Sequence, residues 1–329
     1  FRAVWKNGEG GPNLGLLCEY DALPGMGHGC GHQMQGPAIL GAALAVQQAA
    51  GDRPFTLTVY GTPGEENISG KYIMIRNGCT FEELDVALMM HGGPATQTDI
   101  KCLANAAWQL TYHGKAAHAA LKPEAGRSSL DAMCLAFHGM ECLREHVTDD
   151  VRLHYNITDA GGTAANVVPS LTRAQVMVRA NTVKAVKELM VWLEKIFQGA
   201  AMMTETEAEI RLDKVLDNKI PNLRLNDLLM KHARRLQAPN CQPPRQRTGS
   251  TDFANVMHRV PGSCIRVAFV PEGTPAHSEA YLKAGKTEAA HKAIGYGSQI
   301  LAAACCAILE DPEKLTAMWE EFRKRKASH

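Results

Sequence analysis

Phe55-Thr-Leu-Thr-Val-Tyr-Gly-Thr-Pro-Gly-Glu-Glu-Asn67 is the stretch that decides the fold. Its first seven residues mix β-branched and aromatic side chains, which favours a strand over 55–61. Pro63-Gly64 breaks that strand, and a helix over 71–77 is predicted to follow. On the N-terminal side, 14–18 reads as a short buried strand and 20–31 as a Gly/Pro/His-rich loop. The segment 37–50, rich in Ala, Leu and Ile, reads as a closely packed helix. On the C-terminal side, 85–91 is another buried strand. Apolar strands alternating with helices predict an α/β domain around a mainly parallel sheet.

The pattern changes near Ala106. Residues 108–113, 151–158 and 174–180 read as half-exposed strands, 128–146 and 183–197 as amphipathic helices, and 208–212 as a last short strand. The order β-α-β-β-α-β is the split βαβ pattern of a small α+β sandwich. After Asp217 the α/β pattern returns, with a helix over 223–236, a strand over 264–270 and an apolar helix over 287–309. The expected architecture is an α/β domain built from 1–105 and 214–329, interrupted by a small α+β domain over 106–213.

The chain has 329 residues, 45% hydrophobic and 21% charged, with a formal net charge of +1. That composition argues against disorder and gives no electrostatic case for a nucleic-acid partner. No run of about 18 apolar residues is evident, so no membrane span is expected. The ten cysteines are scattered through apolar runs, which fits reduced thiols in a cytoplasmic protein rather than a disulfide scaffold. No signal peptide is visible. The chain opens at Phe1, without a methionine, on what reads like the end of a strand, so a preceding portion is expected to be missing.

Four clusters carry chemistry. His28-Gly-Cys-Gly-His32 sets Cys30 and His32 on a Gly turn where thiolate and imidazole can reach one cation. A Gly-rich turn with a buried Cys explains the same residues. At the Pro63-Gly64 turn, Glu65 and Glu66 can share one site, one carboxylate binding metal while the other takes a proton from water. A charged helix start is the bland alternative. His91 closes an apolar strand before Gly92-Gly93, where ligands of open α/β sheets gather. His277, in Thr274-Pro-Ala-His-Ser278, follows the last strand. His138, His146, His232, His258, His291 and His329 lack such context and read as surface residues.

The order of these clusters resembles metallopeptidase family twenty, which includes aminoacylase, carnosinase, glutamate carboxypeptidase and amino-acid-conjugate amidohydrolases. The likeness is strongest to its amidohydrolase-like branch of β-alanyl-lysine and Xaa-Arg dipeptidases. It rests on Leu17-Cys-Glu-Tyr-Asp-Ala-Leu-Pro-Gly25, His28-Gly-Cys-Gly-His32, Gly61-Thr-Pro-Gly-Glu-Glu66, Gly114-Lys-Ala-Ala-His118, Gly249-Ser-Thr-Asp-Phe253 and His277-Ser-Glu-Ala-Tyr281, and it runs nearly the whole chain.

The resemblance implies a mainly parallel-sheet dimetal catalytic domain and a small inserted lid and dimerisation domain. It implies two divalent ions, Zn or Mn, held by Cys30, His32, Glu66, His91 and His277, with Glu65 as general acid/base. His118 matches a histidine that reaches the active site of the partner in a homodimer and steadies the oxyanion. Asn166, in Gly161-Gly-Thr-Ala-Ala-Asn-Val-Val-Pro169, and Arg179 match residues that hold the substrate carboxylate. Asp21 matches an acid that orients a metal-bound histidine.

The implied substrate is a small dipeptide with a C-terminal basic residue. An N-acyl amino acid is a second possibility, and an inactive dimeric scaffold a third of another class. Two positions depart from the pattern. Glu19-Tyr-Asp21 stands where the aminoacylase branch has His-x-Asp, so Cys30 would replace the first histidine ligand. Gln33 stands where the family has Asp or Asn and cannot act as an anionic bridge.

Overall fold

The computed structural model describes residues 1–246 and 249–328. His329, read above as a surface residue, lies outside the described residues. The strands in chain order are β1 (Arg2–Asn7), β2 (Asn13–Cys18), β3 (Phe55–Gly61), β4 (Val86–Gly93), β5 (Gln97–Thr98), β6 (Ala104–His113), β7 (Arg152–Asp159), β8 (Leu171–Ala180), β9 (Glu207–Leu216) and β10 (Gly262–Ala268). The helices are α1 (Gln35–Ala49), α2 (Gly70–Arg76), α3 (Ser129–Leu143), α4 (Val183–Thr204), α5 (Leu223–Arg235), α6 (Phe253–Met257), α7 (Glu279–Ala284), α8 (Glu288–Glu310) and α9 (Pro312–Lys326). The chain divides into two compact units: unit 1 is Phe1–Cys102 with Lys219–His329, and unit 2 is Leu103–Asn218.

Unit 1 is built on a six-stranded sheet in the order β1-β3-β2-β4-β10-β5. Its four central strands are parallel, and β1 and β5 pair antiparallel at the two edges. Successive side chains of a strand point to opposite faces, and here both faces are buried. Leu14, Leu16, Val86, Leu88 and Met90 join α1, α5 and α8 in one core. Leu17, Ala87 and Met89 join Phe253, Val256 and Met257 of α6 in another. This double burial is why these strands read as continuous apolar runs rather than alternating ones.

By length and mean hydropathy the helix α8 could cross a membrane, although polar residues such as His291, Lys292 and Gln299 interrupt its apolar run. Its apolar residues serve the core instead. Ala290, Ala293, Ile300, Leu301, Ala304 and Cys305 are buried, and a Cβ added at Gly297 would meet Met90 Cγ at 2.7 Å. Small side chains on this face let the helix lie close to the sheet.

The surface assignment of His232 is corrected by the structure. In α5 it falls with Leu225, Leu228, Leu229 and Ala233 on one face at helical spacing, and it is buried. His138, His146 and His291 are exposed, and His258 is half-buried.

Unit 2 is a four-stranded antiparallel sheet in the order β7-β8-β6-β9. The element order β6-α3-β7-β8-α4-β9 is the split βαβ arrangement. Along β8, Thr172, Ala174, Val176, Val178 and Ala180 are buried in strict alternation, and the apolar ones share a core with α3 and α4.

Candidate active site

The first donors come from one loop. Gly31, with φ of +84°, takes the left-handed turn between Cys30 and His32, a conformation that costs glycine least. His91 arrives from the carboxyl end of β4. The rings of His32 and His91 stand edge to face with centroids 5.4 Å apart, and Cys30 Sγ is 3.6 Å from His91 Nε2. Gly64 makes the turn expected at 63–64, with φ of +80°, and brings Glu65 and Glu66 in after β3.

His277 Nε2 lies 3.6 Å from Glu66 Oε2. Its own φ is +60°, a backbone conformation that non-glycine residues hold at a cost and that clusters at functional sites. Its N–H donates to Gly29 O at 2.9 Å, tying the late loop to the Gly-rich one.

The potential ligand atoms of Cys30, His32 and His91 lie within 4.8 Å of one another, as do those of Cys30, Glu66 and His277. The same holds for His32, Glu65 and Glu66. The five expected metal residues are therefore brought together, with Cys30 shared between two groups and Glu65 beside them. A cavity of about 250 Å³ in unit 1 is lined by Cys30, Glu65, Glu66, His91 and His277.

The donor set suits a divalent metal ion. His32 Nε2 and Glu66 Oε1 are buried without a hydrogen-bond partner among the described residues, a costly state for polar atoms that are given nothing to bind. Glu19 Oε2 is 3.3 Å from His32 Nε2, but not in hydrogen-bond geometry. Burial opposes charge on His32, yet Asp21, Cys30 and Glu19 push its pKa up to about 11. A cation is favoured at that nitrogen, and a metal ion competes with the proton for the same lone pair. Burial pushes the Cys30 thiol up to about 11, so a thiolate there requires a cation beside it.

Asp21 supports two of these residues at once. Its Oδ1 is 3.3 Å from His32 Nδ1, and its Oδ2 accepts from the Glu66 N–H at 3.0 Å. Gln33 turns elsewhere and donates to Gly285 O at 3.3 Å.

Glu65 is set apart from Glu66 by its surroundings. Burial, then the negative charges of Glu19 and Asp252, push its pKa up to about 8. A carboxyl group tuned in this way can both take and return a proton near neutral pH.

The sequence did not point to the charge cluster behind it. Lys71, fully buried, donates to Glu19 Oε1 at 2.6 Å and to Asp252 Oδ1 at 2.7 Å. The Lys71 backbone N–H donates to Asp252 Oδ2 at 2.8 Å. Gln35 Nε2 donates to Glu19 Oε2 at 2.7 Å. Burial works against the charge on Glu19, but Lys71 and His32 hold its carboxyl well below the usual range.

A second unforeseen cluster surrounds Asp99. Its carboxylate meets Lys219 Nζ at 2.7 Å, Arg245 Nε at 2.7 Å and Arg266 Nε at 3.4 Å. An Arg inside the buried strand β10 was the one signal of it in the sequence.

The other expected residues sit on unit 2. His118 is exposed, and its Nδ1 accepts from the Ala120 N–H at 3.2 Å. Asn166 is exposed on the neighbouring loop, joined to this one by Ala119 N–H donating to Asn166 O at 2.9 Å. Arg179 is half-buried near the end of β8, opposite Asn105 of β6 and Arg152 of β7.

Residues 15–303 match the model of peptidase family M20/M25/M40. The chain is 33% identical to the Xaa-Arg dipeptidase of Mus musculus, covering 98% of this chain and 77% of that protein. It is 30% identical to a p-aminobenzoyl-glutamate hydrolase subunit of Escherichia coli (strain K12), covering 96% of this chain and 81% of that one. The crystal structure of the aminobenzoyl-glutamate utilization protein from Klebsiella pneumoniae shares the fold, with a TM-score of 0.73 and 23% identity over 93% of this chain and 74% of that chain. The chain belongs to peptidase family M20/M25/M40 and is a hydrolase of peptide or amide bonds.

Proposed function

We propose that the protein hydrolyses the amide bond of a small dipeptide or N-acyl amino acid, with two divalent metal ions, Zn or Mn, held by Cys30, His32, Glu66, His91 and His277. The observation that carries this reading is the pair of donor groups sharing Cys30, with Glu65 alongside in the same cavity. Bound metal would polarise the scissile carbonyl and acidify a water molecule. Glu65 takes the water proton and returns it to the leaving amine, a task its raised pKa suits. Asp21 orients His32 and the Glu66 backbone.

From unit 2 the reading takes His118 as the oxyanion donor to the site of a second subunit, and Asn166 and Arg179 as the grip on the substrate carboxylate. Arg is suited to that grip by its planar fork. A homodimer through unit 2 is supported by β7, an edge strand with Tyr155 and Ile157 38% and 39% exposed. A cytoplasmic location fits ten cysteines that are all free thiols.

A C-terminal basic residue in the substrate draws support from the Xaa-Arg dipeptidase relative, and an N-acylated acidic one from the p-aminobenzoyl-glutamate hydrolase relative. The inactive-scaffold alternative is disfavoured by an assembled donor cluster with Glu65 beside it.

The test is a panel of β-alanyl-lysine, Xaa-Arg dipeptides and N-acetyl amino acids, incubated with Zn- or Mn-loaded protein and assayed for free amine. Release from at least one class, dependent on metal, is expected. No release from any of them by fully loaded protein would contradict the proposal.

A further inference from the structure

Lys219, Arg245 and Arg266 line the same cavity as Cys30, Glu66 and His277. All three converge on a single carboxylate, Asp99, whose Oδ1 takes Arg245 and whose Oδ2 takes Lys219 and Arg266. Three cations meet one carboxylate here, so among the described ion pairs positive charge predominates on this wall. Glu19 and Asp252 share the single cation Lys71, so that separate cluster keeps one negative charge and offsets the wall only in part.

The wall begins at the metal donors themselves. Arg266 Nη1 lies 3.0 Å from His91 Nδ1 and donates to Gly92 O at 3.3 Å. Arg245 is placed further out, with its side chain 27% exposed and its Nε committed to Asp99. Among the described residues its two terminal nitrogens make no hydrogen bond, and that fork can hold a carboxylate end-on through two parallel N–H bonds. Cations gathered in a small cavity focus a positive potential and concentrate anions there. The same field repels an ammonium or guanidinium group.

We propose that this wall is a subsite for a second carboxylate of the substrate, contacted first by Arg245. The amide cleaved then belongs to an N-acylated acidic amino acid, or to an acyl group that itself ends in a carboxylate, and not to a peptide ending in a basic residue. This rests on the amide-hydrolase reading above and adds the charge of the group that accompanies the scissile bond.

The test compares substrates of similar size that differ in charge. On metal-loaded protein, kcat/KM for N-acetyl-glutamate is expected to exceed that for N-acetyl-glutamine by about tenfold or more, mostly through KM, with N-acetyl-lysine poorest. In Arg245→Gln the glutamate-to-glutamine ratio should fall to about one. N-succinyl-alanine against N-acetyl-alanine distinguishes the acyl end from the amino-acid end as the source of the carboxylate. Calorimetric binding of N-acetyl-glutamate and N-acetyl-glutamine to the wild type and to Arg245→Gln gives a readout that needs no turnover. Lack of turnover with an Arg245-dependent preference for glutamate in binding overturns the amide-hydrolase reading and upholds the subsite. Turnover with no charge preference, or with a preference for lysine, upholds the hydrolase reading and overturns the subsite.

Discussion

Replacing Glu65 by Gln is expected to lower kcat by about 10³-fold, within the 10²–10⁴ range for loss of a general acid/base, while metal content stays unchanged. Gln keeps the shape of the side chain and loses the proton. Glu66→Ala is expected to act on the metal instead: it removes one of the three groups that meet at Cys30 and His277 and should lower metal content. The geometry separates the two. Glu66 Oε1 and Oε2 face His32 and His277, whereas Glu65 is held among Glu19, Asp252 and Lys71, where burial raises its pKa. Steady-state kinetics and elemental analysis of both variants check the assignment. If Glu65→Gln loses metal and Glu66→Ala keeps it, the roles must be exchanged.

Lys71→Met carries the largest expected cost in stability. It leaves Glu19 and Asp252, both buried, without their shared cation. Breaking a buried ion pair by removing one partner typically costs about 3–5 kcal/mol, because the remaining charge is left uncompensated. Chemical denaturation should show that loss. The double variant Lys71→Met, Asp252→Asn should recover part of it by removing one of the stranded charges. A Lys71→Met protein as stable as the wild type would mean that the network holds its carboxylates by other means.

What was readable in the sequence follows from distance along the chain. Cys30 and His32 are two residues apart across one Gly turn, and Glu65 and Glu66 are adjacent at another, so local rules were enough to bring each pair to one place. His91 was readable because an apolar strand ends on it. The buried Lys71 network was not, since it joins residues 52 and 181 positions apart. A lysine at the start of a short helix looks like surface charge until its partners are known. Glu19 and Asp252 lay inside quoted motifs, yet nothing local distinguished them from solvated acids.

The same limit applies to Asp99, whose cations come from positions 219, 245 and 266. His232 was misplaced for a different reason. Its burial follows from the apolar face of α5, which the spacing of Leu225, Leu228 and Leu229 already marked. The helix α8 was legible as an apolar helix over 287–309, and its alanines and glycines serve close packing against β4 and α1.

The central claim is that Cys30, His32, Glu66, His91 and His277 hold the metal ions on which hydrolysis depends. The most direct test is to strip the protein with a chelator, verify the loss by elemental analysis, and assay the same sample before and after adding back Zn or Mn. The expected result is a fall in activity of at least about 10²-fold, restored by metal in the wild type and not in His91→Ala. A metal-free protein that hydrolyses its substrate at the untreated rate would contradict the account.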